Sequence, residues 1–405
     1  MDTRTPLIVV SGRHGPTSDT AHALLRPGTV VVHHDLDPVG EGVGRRTVTT
    51  VDDERLEVLE LAHGCVSCTL REDLLPLLRR LHTYSTVDRI VLHLDPQLEP
   101  EALCWAVEHV VVAGVVGQID GPAVRDVRID GVVTCLDAAT WLDDATGDVD
   151  LRPGSGDDRT VAQVVVGQVE FADALVVRPG TDGWQQARLH AVLARLAPGA
   201  PIAWAADAPI EDLLGRIPPT ARRGEVSDAY SPLLRGRPPL DEDCGVQLIE
   251  FSARRPFHPQ RLHDAVDVLL DGVVRARGRA WVATQPGNAL LLESAGGGLR
   301  VAQAGPWLAT MTPEQQDRVP ATRRAMAALG WDDTYGDRDS SLVVLAHDAD
   351  PQEILRALEE ALLSDDEWAS PDTWPDWDDP FGDYHHDPCE EVPAERTSTR
   401  NEGHA

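Results

Sequence analysis

Leu7-Ile-Val-Val10, followed by Ser11-Gly12-Arg13-His14-Gly15-Pro16 and a helix-patterned stretch through Leu25, decides how the chain folds. An unbroken apolar run of this length is the signature of a strand covered on both faces. A glycine-bearing loop between such a strand and a helix puts backbone amides at the carboxyl end of a parallel sheet, where ligands bind. Further strand-like runs lie at 29–32, 89–94, 131–136 and 174–177, with helical patterns between several of them. Strands alternating with helices predict an α/β fold, a mostly parallel sheet with helices on both faces.

A working phosphate-binding loop reads G-x-x-x-x-G-K-[ST]. Its amides cradle the phosphates, its lysine reaches the β- and γ-phosphates and its hydroxyl binds magnesium. Here Gly12 and Gly15 remain, Ser18 occupies the lysine position and Asp19 follows it. All 36 cationic side chains are arginine, so no lysine can replace the missing one. Gly12, Gly15, Ser18 and Asp19 are the candidate contacts for a nucleotide's phosphates and magnesium. Loss of the clamping charge favours a relic turn over a hydrolytic site.

His63-Gly64-Cys65-Val66-Ser67-Cys68 carries the clearest chemistry. Two thiols three positions apart can reach one ion, and thiolates are soft ligands that suit zinc. Cys65, Cys68 and His63 are the candidate metal ligands. His33, His34, Asp35 and Asp37, after the second strand, are candidates to complete the shell. A site of two or three protein ligands is exchangeable rather than structural. The competing readings are a thiol redox pair or two buried small side chains. Cys104, Cys135 and Cys244 have no ligand spacing and read as core or incidental. His385-His386-Asp387-Pro388-Cys389 is a second, weaker metal-binding tract.

The 405 residues are enough for two to three domains, and 42% of them are hydrophobic. No run approaches the ~20 apolar residues of a membrane helix, and the start lacks a signal-peptide core, so a cytoplasmic protein without a membrane partner is expected. A net charge of −31 argues against nonspecific nucleic-acid binding, and no DNA partner is expected. Residues 1–216 form the first domain, with an exposed Gly/Asp-rich loop at 147–158. Residues 217–245, rich in proline and charge, read as a linker. Residues 246–364 read as a smaller α+β domain, with strands at 246–251, 273–282, 290–292 and 341–345 and helices at 259–270 and 351–363. Residues 365–405 hold 13 acids against 2 arginines and read as an acidic, disordered tail with aromatics available for docking.

One local basic patch stands out in this acidic chain. Residues 251–300 hold 7 arginines against 4 acids. Arg254, Arg255, His258 and Arg261 cluster around Phe257, while Arg275, Arg277 and Arg279 alternate on a strand and share a face. These seven residues are candidate contacts for RNA or an acidic partner; the alternative is a face paired with the chain's own carboxylates.

Over roughly residues 5–370 the chain resembles the CobW-type GTPase and metallochaperone family. Gly64-Cys65-Val66-Ser67-Cys68 looks like its G-C-x-C-C motif, with Ser67 in place of the middle cysteine. Asp130–Asp137 and Gln168–Asp173 are similar to segments of its nucleotide domain. The guanine-reading N-K-x-D has become Arg178-Pro179-Gly180-Thr181. Arg255–Arg261, Gly272–Gly278, Gly305–Trp307 and Gly336–Arg338 look like its C-terminal domain. The resemblance implies a P-loop NTPase-like domain followed by a CobW-type C-terminal domain. His63–Cys68, Ser252–Leu262, Glu293–Val301, Leu363–Glu367 and Asp379–Asp383 are most similar to an actinobacterial (mycobacterial) branch, the ribosome hibernation-factor recruiters. That branch implies an adaptor that works under zinc starvation. It would bring a hibernation factor to the 30S subunit, so that inactive 70S ribosomes are stored. The alternative within the family is a GTPase metallochaperone that delivers zinc to a client protein.

Overall fold

The computed structural model describes residues 2–37, 43–60, 70–154, 157–205, 209–226 and 229–382. The first domain is built on an eight-stranded sheet. Its strands are β1 (Thr5–Gly12), β2 (Thr29–Asp35), β3 (Val43–Thr49), β4 (Glu54–Glu60), β5 (Arg89–His93), β6 (Val127–Asp137), β7 (Ala174–Arg178) and β8 (Ile202–Ala203). The spatial order is β8-β7-β6-β1-β5-β2-β3-β4. All pairings from β8 to β2 are parallel, and β3 and β4 extend the sheet antiparallel. The central strand β1 is buried on both faces, as its unbroken apolar run requires.

Two helical layers cover the sheet. Leu7, Val9, Val32 and Leu92 face α2 (Leu75–His82) and α3 (Pro100–His109). Ile8, Val10, Val133 and Val176 face α1 (Thr17–Ala23) and the short helix Ile210–Gly215. Two further helices, α4 (Val161–Glu170) and α5 (Gly183–Leu196), flank β6 and β7. A capping box between Thr160 and Gln163 starts α4, and the Asp182 carboxylate accepts the N–H groups of Trp184 and Gln185 to start α5. The predicted loop at 147–158 contains a short antiparallel hairpin, Asp150–Arg152 with Asp157–Thr160.

The second domain is a five-stranded antiparallel sheet of β9 (Gln247–Ala253), β10 (Val273–Trp281), β11 (Asn288–Ala295), β12 (Gly298–Pro306) and β13 (Ser340–Ala346), in the order β9-β13-β10-β11-β12. One face packs against α6 (Pro351–Ala361) through Ile249, Ala276, Val344, Ile354 and Leu358. Leu248, Val274 and Leu345 join the core formed by α4 and α5, so the two domains share apolar packing. Residues 217–245 contain no helix or strand among those described, yet they are not free chain. Ile217 is buried, Arg222 lies 4.7 Å over the Phe171 ring, and the Tyr230 hydroxyl donates to Gly305 O at 2.9 Å.

The expected disordered tail is ordered over 365–382. Ser364 caps the turn Asp365–Trp368, and Pro371–Asp376 forms a 3-10 turn. Trp368 sits among Trp281, Tyr335 and Trp374, with ring centroids 5.8, 5.3 and 5.3 Å away. Phe381 is buried, and Asp379 accepts from Thr284 Oγ1 and Gln285 Nε2. A few widely spaced aromatics outweigh an acidic composition because each buries so much area. Residues 383–405, with the His385–Cys389 tract, lie outside the described residues. Among the described residues no helix is long and apolar enough to cross a membrane.

Candidate functional site

The loop after β1 is held hard against β6. Gly12 has φ +141°, and a Cβ there would stand 2.0 Å from Cys135 O; one on Gly15 would stand 2.6 Å from Cys135 C. Only glycine passes at either position. His14 takes φ +57°, a left-handed conformation uncommon for a side chain of that size. The helix that follows begins without a side-chain cap. Ser18 and Asp19 are exposed on its first turn, and Ser18 O accepts from His22 Nδ1 at 2.7 Å.

Arg178, which stands where the guanine-reading motif would begin, closes over this loop. Its Nη1 donates to Asp137 Oδ2 at 3.2 Å and to His14 O at 3.4 Å. The candidate nucleotide residues Gly12, Gly15, Ser18 and Asp19 are thus together at the carboxyl edge of the sheet. The cation nearest to them in sequence is Arg13, whose buried Nε has no hydrogen-bond partner. Arg13 escaped the sequence reading because its position corresponds to no clamp in the motif.

Beside the loop, β2 and β5 carry histidines near their carboxyl ends. His33 and His93 are register partners with ring centroids 4.3 Å apart, and His33 Nδ1 lies 3.0 Å from His93 O. Burial pushes the His93 imidazole down to about 4, with the neighbouring His33 adding to the effect. Alternation along β2 sends His34 to the other face. There it is 5% exposed, with Nε2 at 2.8 Å from Asp73 Oδ2. Its Nδ1 is buried and has no hydrogen-bond partner. Asp73 lies on the π-helical turn Leu70–Leu74 that leads into α2 and also accepts from Arg46. Burial alone would raise the Asp73 carboxyl, but the bonds from His34 and Arg46 outweigh it and hold the group below its ordinary value.

The other acids of this edge are engaged locally. Asp35 pairs with Arg45 at 3.2 Å, Asp37 accepts from Gln97 at 3.2 Å, and Asp95 accepts the N–H groups of Leu36 and Gln97. His63, Cys65 and Cys68 lie outside the described residues. Among the described residues no three His, Cys, Asp or Glu side chains converge on one metal position. Cys104 and Cys135 are fully buried, and burial pushes the Cys135 thiol up to about 12. Neither is a thiolate at neutral pH.

The seven candidate partner contacts do not form one open basic face. Arg275 and Arg277 do share a face of β10, but it meets the first domain. Arg275 reaches Glu170 at 3.0 Å and Glu293 at 3.1 Å, and Arg277 reaches the same two acids at 3.7 and 3.0 Å. Arg255 pairs with Asp365 at 2.8 Å, Arg261 holds Glu367 through two bonds of 2.9 and 2.7 Å, and His258 stacks on Trp377 at 4.7 Å. These five side chains serve the domain junction and the ordered part of the tail. Arg254 donates to the carbonyls of Gly330 and Gly336, and Arg279 to that of Ala229. These two, with Arg323, line a cleft of about 140 Å³ whose acids are Asp337 and Asp339.

Residues 40–202 match the CobW/HypB/UreG nucleotide-binding domain, and residues 246–362 match the cobalamin synthesis protein CobW C-terminal domain. The first match begins beyond the β1 loop. The chain is 50% identical over 406 aligned residues to the Mycobacterium tuberculosis protein named zinc chaperone Rv0106, covering 99% of each. It is 24% identical over 370 residues to the zinc-regulated GTPase metalloprotein activator 1 of Dictyostelium discoideum, covering 86% of this chain and 76% of that one. The Zn(II)-bound YjiA GTPase from E. coli aligns with 90% of this chain at 17% identity and a TM-score of 0.36. The chain belongs to the CobW/HypB/UreG family and carries that family's nucleotide-binding domain followed by its CobW C-terminal domain.

Proposed function

We propose that this protein is a zinc chaperone that takes up the ion as cargo on Cys65 and Cys68 and releases it to a client protein. The observation that carries this reading is His34. It is a buried imidazole with one nitrogen bonded to a carboxylate and the other buried without a hydrogen-bond partner, a polar atom that a metal ligand bond would satisfy. The donor set fits zinc, with two soft thiols and one or two imidazoles. Such a set is small enough to exchange its ion. Two relatives, one named a zinc chaperone and the other a zinc-regulated GTPase metalloprotein activator, support the same cargo.

Turnover of GTP is not the expected source of release. Ser18 leaves the phosphate clamp without its charge, and Arg178 ties the loop to Asp137. The test is zinc content after loading and gel filtration. Near-stoichiometric zinc in the wild type, lost in Cys65→Ala/Cys68→Ala, supports the reading. Equal zinc in both proteins overturns it.

A narrower reading follows from the sequence resemblance to hibernation-factor recruiters. In it, the protein is a zinc-starvation adaptor that brings a hibernation factor to the 30S subunit, and the thiols report zinc status. A nucleotide loop without its lysine suits an adaptor, which needs no turnover. Its docking contacts would be Arg254 and Arg279, which among the described residues form no ion pair and donate to backbone carbonyls. Co-sedimentation with 30S or 70S particles from zinc-starved cells tests it; absence from those fractions while the protein is abundant rules it out.

A further inference from the structure

The strands of the main sheet begin at the edge opposite the β1 loop. Asp173 stands just before β7 there, and the turn Leu196–Ala200 just before β8. Between these turns, the end of α4 and the segment that joins the domains lies a crevice of about 510 Å³. Its charged lining is Glu170, Asp173, Arg222, Arg235 and Arg237. Both acids are already engaged. Glu170 holds Arg275 and Arg277, and Asp173 accepts the backbone N–H groups of Val132 and Arg223 at 2.9 and 3.0 Å.

Arg222 makes no ion pair among the described residues: Glu170 and Glu101 attract it only from beyond contact distance, and its guanidinium rests 4.7 Å over the Phe171 ring. Burial, with the like charge of Arg235 beside it, pushes Arg222 down to about 10. A guanidinium is costly to hold in such surroundings unless an anion comes to it. Alanines and glycines form much of the remaining wall, including Ala172, Ala200, Gly199 and Gly236, so a ligand can approach closely.

We propose that this crevice binds the phosphate group of a phosphorylated small molecule, with Arg222 as the anchor and Arg235 and Arg237 beside it. A planar guanidinium matches two phosphate oxygens at once, and a dianion offsets the repulsion among neighbouring arginines. The volume falls within the roughly 300–1,000 Å³ of small-molecule sites and exceeds what a bare phosphate ion fills. The site is separate from the β1 loop, on the opposite edge of the sheet. It adjoins the Glu170–Arg275–Arg277 contact, so an occupant would tighten the junction between the domains.

The test is isothermal titration of the full-length protein at constant ionic strength, with inorganic phosphate in one arm and ribose 5-phosphate in the other. Both probes are expected to bind, the ester more tightly. Binding is expected to weaken roughly 10- to 100-fold in Arg222→Gln, the loss of one charged hydrogen-bonding partner. Arg222→Lys keeps the charge without the fork and is expected to weaken it to a smaller degree; it serves if Arg222→Gln does not fold. Ser18→Glu, which adds a negative charge at the β1 loop, is expected to leave binding unchanged. Undetectable binding of both probes at millimolar concentration overturns the proposal. So does unchanged affinity in a folded Arg222 variant, or a loss confined to Ser18→Glu. Tighter binding of inorganic phosphate than of the ester overturns the assignment to a phosphorylated small molecule.

Discussion

Replacing Glu170 by glutamine should loosen the junction between the domains. Its carboxylate lies 3.0 Å from Arg275 and 3.7 Å from Arg277, with side-chain exposures of 18–21% for the three. Burial disfavours ionisation of Glu170, but Arg275, Arg277 and Arg222 outweigh it and hold the carboxyl below its ordinary value. At an effective dielectric near 20, each such contact is worth about 4 kcal/mol before desolvation is subtracted. Glutamine leaves Glu293 as the acid shared by two half-buried arginines. Breaking one side of a buried ion pair costs about 3–5 kcal/mol. Partial exposure and the retained Glu293 reduce that to about 2–3 kcal/mol. A loss of that size multiplies the population of domain-separated molecules by roughly 30- to 150-fold. Urea denaturation followed by tryptophan fluorescence should show a lower midpoint, and limited proteolysis should become faster between residues 217 and 245. A midpoint shift equivalent to less than about 0.5 kcal/mol, within the range of ordinary surface changes, would refute the reasoning.

Three further outcomes follow from particular contacts. Trp368→Ala empties the centre of the aromatic cluster and should cost about 3–4 kcal/mol in denaturation, with the tail becoming protease-sensitive. The bonds from Arg261 pull the Glu367 carboxyl from 4.5 down to about 2. A depressed folded-state value means that this stabilisation is present above pH 4.5 and is lost as the pH falls toward 2. Tail docking, read by tryptophan emission, should therefore weaken across that window, and Arg261→Gln should flatten that dependence; an unchanged profile would contradict the pairing. Asp73→Asn removes the carboxylate that orients His34 and should weaken zinc binding by roughly 10- to 100-fold in chelator competition.

The parallel sheet was legible because β1, β2, β5, β6 and β7 each carry an apolar core run bounded by turn residues. The antiparallel extension was not. Val43–Thr49 and Glu54–Glu60 read VGRRTVT and ERLEVLE, with no clean alternation of polar and apolar residues, and the second is almost wholly exposed, so neither carries a strand signal without its partner in view. Strand β12 was missed for a similar reason, since it follows the glycine turn Gly296-Gly297 and carries few buried side chains. The position of the β1 loop followed from its glycines, but the Arg178 clamp did not, because it joins residues 164 positions apart. The arginines of β10 were read correctly as sharing a face. That the face meets Glu170, more than a hundred positions earlier, is a tertiary fact that no local pattern carries. His34 was one of four candidates following the strand-like run 29–32. Only the fold distinguishes it, by burying the ring and placing Asp73 against one of its two nitrogens.

The most direct test of the zinc-chaperone reading is zinc K-edge absorption spectroscopy of the loaded full-length protein and of His34→Ala. The expected wild-type shell has two sulfur ligands at about 2.3 Å and imidazole nitrogen at about 2.0–2.1 Å. His34→Ala should lose one nitrogen scatterer while keeping both sulfurs. A shell without sulfur, or one that His34→Ala leaves unchanged, would contradict the account.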